Sequence, residues 1–307
     1  MTAVFLGREA LGDGLPRHEL RRWYRPIFRG VYVPKTAVPT LHDRAVGAWL
    51  TSNRTGVITG TAASALHGAK WVDDTEPIEL LVNERRRQAG LVVRTDRVGV
   101  DEVTNVGELT VAISARTAYD LARYQRRYLA IGRLDALMRA APFSDDEVLT
   151  LMHRYGPVRG VRQLRELLPL VDPGAESLKE SWLRLFLIDN GFDIPETQIP
   201  VLDDAGEPFA YLDMGWRHLQ LAVEYDGDQH RSDRSSYVKD TRRLPKIERR
   251  GWEVVRVINE DDPRDILRRV YESWLYRGGP EIDKMAWATP TFAPKRWFGR
   301  KGRSDAA

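Results

Sequence analysis

The chain has no cysteine. That single absence removes disulfides, cysteine-ligated zinc and thiol nucleophiles. Histidine occurs only six times, too few for a rich imidazole metal site. No run of about 18 apolar residues exists, so the sequence predicts no membrane-spanning helix and no membrane partner. The opening residues, Met1 to Ala10, place no basic stretch ahead of their short apolar run, which argues against a secretory leader. The expectation is a soluble, cytoplasmic protein.

What is present points to several domains and to a charged partner. The 307 residues are 42% hydrophobic and 30% charged, enough to bury cores in two or three domains. The net charge is +3 and the isoelectric point about 9.1, with Arg greatly outnumbering Lys. The planar guanidinium donates two parallel hydrogen bonds to a phosphate. A GC-rich genome gives the same bias, so the placement of the arginines matters more than their number.

Four segments separate along the chain. Residues 1–36 carry seven basic residues against three acidic ones and read as helix, turn, helix and short strand. Gly12-Asp13-Gly14 breaks the chain, Pro16 opens a helix through His18, Leu20 and Trp23, and Gly30 to Val33 is a strand. Residues 37–170 mix helix and strand. Helices are predicted over Thr40–Leu50, Gly60–His67, Ser114–Arg127 and Leu129–Ala141, strands over Ile78–Val82 and Leu91–Arg94. Ser144 to Glu147 is a capping box opening a further helix. Residues 171–277 follow the linker-like Asp172-Pro173-Gly174 and predict an α-β-β-β-α-β-α order around one mixed sheet. Residues 278–307 hold six basic and three acidic residues and predict a disordered basic tail.

The chemistry concentrates in residues 211–227. Asp213 ends one predicted strand, Gly215 and its neighbours turn the chain, and the next strand delivers Glu224 and Asp226. Residues two apart on a strand share a face. A hairpin brings Asp213 alongside them. Three converging carboxylates beside an apolar strand call for neutralisation, and a hard divalent cation such as Mg²⁺ supplies it. Metal-bound carboxylates beside basic residues are the machinery of phosphodiester hydrolysis. Structural alternatives stand next to this reading. Asp226-Gly227 alone is a common turn, Asp240 and Arg243 can be a helix surface pair, and Trp252 suits a core better than a base-stacking platform.

These residues resemble the PD-(D/E)XK nuclease superfamily, and more closely its DUF559 branch, related to the very-short-patch-repair (Vsr) endonucleases. Five short motifs carry the resemblance in order: Ser177-Leu178-Lys179-Glu180, Asp213, Glu224-Tyr225-Asp226-Gly227 followed by His230, Asp240-Thr241-Arg242-Arg243, and Gly251-Trp252-Glu253-Val254-Val255-Arg256. The resemblance spans residues 176–274 and implies a restriction-endonuclease-like α/β domain using Mg²⁺ or Mn²⁺. It implies that Asp213 and Glu224 bind the metal, and that Glu180 completes the site or holds a metal-bound water. Asp226 ligates through water or orients His230. His230 is a general base or acid, and Lys239 and Arg243 contact the scissile phosphate. The superfamily's lysine falls at Asp226, a departure the DUF559 branch shares, which leaves Gln229, His230 and Lys239 as candidates for its role. Leu244 stands where a further acidic residue is expected.

The N-terminal segment resembles the winged helix-turn-helix of AbiEi-type antitoxins. The motif is Arg29-Gly30-Val31-Tyr32-Val33 after the two short helices, and residues 40–125 resemble the α+β middle of those proteins. There Ser52 to Gly68 resembles a helix with an Ala62-Ala63-x-x-Leu66-His67-Gly68 ending. The resemblance implies DNA binding through Arg17, His18, Arg21, Arg22, Arg25 and Arg29, and in some members an operon shared with a nucleotidyltransferase toxin. Arg17 and Arg21 stand one helical turn apart, where like charges repel and a phosphate relieves them. A palindromic operator implies a homodimer. Two readings stay open: a metal-dependent DNA endonuclease, or a non-catalytic regulator or type IV antitoxin-like protein that keeps the nuclease-like fold for binding.

Overall fold

The computed structural model describes residues 4–83, 88–226 and 243–283. The chain is mixed α/β with three sheets and divides into two compact units, Met1–Pro173 and Gly174–Ala307. No described helix is long and apolar enough to cross a membrane. The tail expected to be disordered over residues 278–307 is ordered at its start, where the Pro280 carbonyl accepts from Trp274 Nε1 at 2.7 Å. Residues beyond Asp283 lie outside the described residues.

The first unit opens with β1 (Phe5–Leu6), α1 (Gly7–Gly12), α2 (Arg17–Trp23), β2 (Tyr24–Phe28) and β3 (Val31–Pro34). The three strands form an antiparallel sheet in the order β1-β3-β2. Val31 and Val33 are fully buried while their neighbours are not, the alternation of a half-buried strand. Pro16 holds an extended backbone immediately before α2.

A five-stranded mixed sheet follows. Its elements are α3 (Leu41–Thr51), β4 (Val57–Thr59), α4 (Gly60–Leu66), β5 (Ile78–Leu81), β6 (Leu91–Arg94), β7 (Val103–Val106) and β8 (Leu109–Ala112). Helices α5 (Ser114–Tyr124), α6 (Arg127–Ala140), α7 (Asp145–Tyr155) and α8 (Val161–Leu167) complete the unit. The strand order is β6-β5-β4-β8-β7. Ala45, Trp49, Ile58, Ala63, Leu80 and Val111 share one core, joining α3 and α4 to the sheet. Both partners of the Ser144 capping box are made: Ser144 Oγ accepts from Glu147 N, and the Glu147 carboxylate accepts from Ser144 N.

The structure corrects the expected helix over Ser52–Gly68. Residues 57–59 are strand β4, and the helix begins only at Gly60. Gly60 makes that switch possible. Its φ is +59°, and a Cβ there would lie 2.1 Å from Glu79 Oε1. The carboxylate takes the space and accepts from Thr61 N at 3.2 Å. His67, from the Leu-His-Gly ending, bonds the Ala112 carbonyl at 2.7 Å and ties the end of α4 to β8.

The second unit contains α9 (Leu178–Asp189), β9 (Glu196–Leu202), β10 (Pro208–Trp216), β11 (Leu221–Asp226), α10 (243–249), β12 (Glu253–Ile258) and α11 (Pro263–Tyr276). The sheet order is β12-β11-β10-β9, antiparallel except for the parallel β11–β12 pair. The expected turn at Gly215 is also corrected. Gly215 lies inside β10, which runs on to Trp216, and the chain reverses at Arg217–Leu219 and Gln220. Gly215 is needed for close approach: a Cβ would lie 2.3 Å from the Leu221 carbonyl oxygen across the strand pair. Ile199, Val201, Leu212, Ala222 and Ile247 form one core, with the half-buried Trp252 packed against it. Trp216 and Trp274 meet edge to face, 4.8 Å between ring centroids.

Candidate carboxylate site on the C-terminal sheet

Three acidic side chains meet where the start of α9 faces β10 and β11. Ser177 caps α9, its hydroxyl accepting from Glu180 N at 3.1 Å. Glu180 turns back and accepts from Glu176 N at 2.8 Å, so the Ser-x-x-Glu spacing has a local structural use as well. Antiparallel pairing of Met214 with Val223 sets Asp213 beside the next two residues of β11. Asp213 Oδ2 accepts from Tyr225 N at 2.9 Å. Glu224, adjacent on the same strand, is buried.

The Asp213 carboxyl is pushed up to about 8, first by burial and then by the charges of Glu180 and Glu224. The Tyr225 N–H and the Arg243 guanidinium pull the other way and do not prevail. Glu224 is neutralised internally: Arg243 donates to its two carboxylate oxygens at 2.6 and 3.3 Å and to the Tyr211 carbonyl at 2.6 Å. The carboxylates acting on Asp213 are therefore Glu180 and Glu224. Asp226 instead forms an ion pair with Arg256 at 2.9 Å. The parallel register sets Arg256 beside Glu224 on the neighbouring strand, two residues from Asp226 along β11. Among the described residues, no group of three or more His, Asp or Glu side chains is arranged to hold a metal ion. Asp213 and Glu224 are the pair that suits a hard cation. Each offers carboxylate oxygens, and the protonation preference of Asp213 marks a place short of positive charge.

At the other end of the chain, the structure places Arg17, His18, Arg21 and Arg22 on α2, all exposed. Arg29 is exposed in the turn between β2 and β3. Arg25, on β2, turns inward and donates to the Ala37 carbonyl at 3.0 Å. His230 and Lys239, with Gln229 and Asp240, lie outside the described residues.

Two proteins of Mycobacterium tuberculosis, the uncharacterized proteins MT2308 (strain CDC 1551) and Rv2248 (strain H37Rv), are each 32% identical to this chain over 267 residues. The match covers 86% of this chain and 93% of each relative. The chain belongs to their family. The matched length exceeds either unit alone, so the family carries both. No family model and no solved structure matches the chain.

Several side chains at these places escape a reading of the sequence of this family member. Lys179 follows the same helix start as Glu180. Its Nζ lies 5.0 Å from the Tyr225 ring centroid and 3.4 Å from Asn259 Oδ1. Arg256 was visible within the Gly-Trp-x-Val-x-Arg motif, but its partner depends on strand register. A buried ionic network in the first unit left no motif at all. Arg116 pairs with Glu102 and, at 3.0 Å, with Asp120, which also accepts from Thr59 at 2.7 Å. Burial pushes the Asp120 carboxyl up. These residues join β4, α5 and the approach to β7, and the bonds they make give them a structural use. Among the described residues, the second Asp120 oxygen has only the Arg123 guanidinium at 3.6 Å and no hydrogen bond.

Proposed function

We propose that the chain is a DNA-binding protein whose second unit is a metal-dependent endonuclease-like domain that hydrolyses phosphodiester bonds. The observation that carries this reading is the adjacency of Asp213 and Glu224 on paired strands, with Glu180 close enough to help force a proton onto Asp213. Two carboxylates suffice for Mg²⁺ or Mn²⁺, which keep several waters and bind substrate phosphate as further ligands. The cation would polarise the phosphoryl oxygen and lower the pKa of an attacking water.

Within this reading Asp213 and Glu224 hold the cation, and Glu180 orients water at its edge. Arg243, partly exposed, exchanges Glu224 for the scissile phosphate. Asp226 is held by Arg256 and acts through orientation. His230 as general acid or base and Lys239 as a phosphate contact rest on the resemblance to the DUF559 branch alone. The α-β-β-β-α-β-α order of the second unit is read as its restriction-endonuclease-like fold. The β1-α1-α2-β2-β3 start is read as a winged helix-turn-helix, followed by an AbiEi-like α+β region. Arg17, His18, Arg21, Arg22 and Arg29 then face DNA phosphates, and Arg25 braces the strand behind them.

The test is calorimetric titration of Mg²⁺ or Mn²⁺ into the parent, Asp213→Asn and Glu224→Ala chains, with plasmid nicking on the same samples. Metal binding and nicking in the parent, both lost in the variants, support the proposal. Variants that nick like the parent place the site elsewhere.

A second reading is favoured by one specific observation. The two-point bond from Arg243 already neutralises Glu224 without any metal. A domain stabilised in that way suits a non-catalytic regulator or antitoxin-like protein. Its partners would be operator DNA, bound as a homodimer, and a nucleotidyltransferase-type toxin. DNA binding with neither metal binding nor nicking selects this reading.

A further inference from the structure

The last residue of α2 is at odds with how this protein treats its other large indoles. Among the described tryptophans, Trp49, Trp182, Trp216 and Trp274 are buried and Trp71 and Trp252 half-buried, whereas Trp23 is 56% exposed. A single exposed apolar side chain is ordinary, and Tyr276 is more exposed still; what sets Trp23 apart is the arginine-rich helix that carries it. Trp23 is also held in a set position. It ends a helix and leads directly into β2, and its carbonyl accepts from Lys35 N at 2.9 Å. The Arg22 guanidinium carbon lies 4.7 Å from the indole centroid. Arg17, His18 and Arg21 are exposed on the same short helix. Glu19 is its one acidic residue. An aromatic plane set among arginines complements a nucleic acid, whose backbone is anionic and whose bases offer flat faces. It suits an apolar protein surface poorly, because the flanking arginines would have to be desolvated.

We infer that Trp23 is a stacking platform for an accessible base, and that this surface selects DNA with an unpaired or unstacked nucleotide over fully paired duplex. In paired duplex each base face is covered by its neighbours and only the edges are open in the grooves. A ring that stacks therefore needs a gap, a mismatch, an end or a single strand. Arg17, Arg21 and Arg22 bind phosphate on any DNA, while Trp23 supplies the discrimination. This inference rests on the proposed DNA binding and adds the class of DNA structure.

The experiment is fluorescence anisotropy with three labelled DNAs of equal length: paired duplex, duplex with a one-nucleotide gap, and single strand. Parent, Trp23→Ala and Trp23→Phe chains are compared at one salt concentration. The parent is expected to bind gapped and single-stranded DNA about tenfold more tightly than paired duplex, the scale of one stacked base. Trp23→Ala should lose that preference while its affinity for paired duplex stays within about threefold, and Trp23→Phe should keep most of the preference, because a ring remains. A parent that binds all three DNAs alike, or a Trp23→Ala chain that keeps the preference, overturns the inference and leaves the DNA-binding reading standing. A parent that binds no DNA overturns both. Self-association abolished by Trp23→Ala, without DNA binding, would reassign the surface to a protein contact.

Discussion

A carboxylate set half out of water beside two others has two ways to lose its charge, a proton or a cation. Asp213 takes the proton when no cation is present. Its carboxyl stays protonated up to about pH 8 in the folded chain, against an ordinary value of 3.8. Between those values the folded state binds more protons than the unfolded one, so stability falls as pH rises through that window. Asp213→Asn keeps the shape and an oxygen to accept from Tyr225 N, but carries no titrating proton. Thermal unfolding in chelator across pH should therefore show a shallower loss for Asp213→Asn than for the parent. Added Mg²⁺ should raise the parent's melting temperature most near the top of that window and leave Asp213→Asn nearly unchanged. Parallel pH profiles for the two chains would show that Asp213 is not the group responsible. The acidic pattern at residues 213, 224 and 226 is visible in the sequence, because alternation on a strand needs only local geometry. The Arg256 and Arg243 partners are not visible, because each comes from a distant element.

At the scale of elements, the approach of β10 to β11 sets the spacing of Asp213 and Glu224. Gly215 governs that approach, since a Cβ there would press on the Leu221 carbonyl, a backbone atom that cannot turn aside. Gly215→Ala should cost about 1–3 kcal/mol, measured by urea unfolding. Because the strands must separate, it should weaken Mg²⁺ binding more than a remote substitution of equal cost. A fully stable variant would mean that the strand pair yields more easily than a packed sheet normally does. Elements with a strong local signature follow from the sequence. The first strand of the order expected after the linker is β9 (Glu196–Leu202), and the Ser144 capping box opens α7. Strands β4, β7 and β8 do not follow from it: β4 has only three residues, and β7 and β8 carry Thr104, Asn105 and Thr110, where the equally short β5 and β6 are mostly Ile, Leu and Val.

For the whole molecule, the division between Pro173 and Gly174 predicts two cooperative blocks rather than one. Calorimetry of the full chain should show two transitions. Asp213→Asn and Mg²⁺ should move only one of them, because the carboxylate site lies wholly within the second unit. A single transition shifted as a whole would show that the units unfold together. The family match over both units agrees with a chain whose two parts are kept together.

The sequence by itself determined the α/β class, the linker-like break near residue 173, most helices, the three central acidic residues and the basic face of α2. Those features depend on composition, on short periodicities and on chain breakers, which act between near neighbours. Only the tertiary structure decided how the charges are matched. It placed Glu180 against Asp213, gave Arg243 to Glu224 and Arg256 to Asp226, buried four indoles and left Trp23 in water. Each of those outcomes depends on strand register and on packing between residues far apart in sequence, where a shift of one position exchanges the faces of a strand.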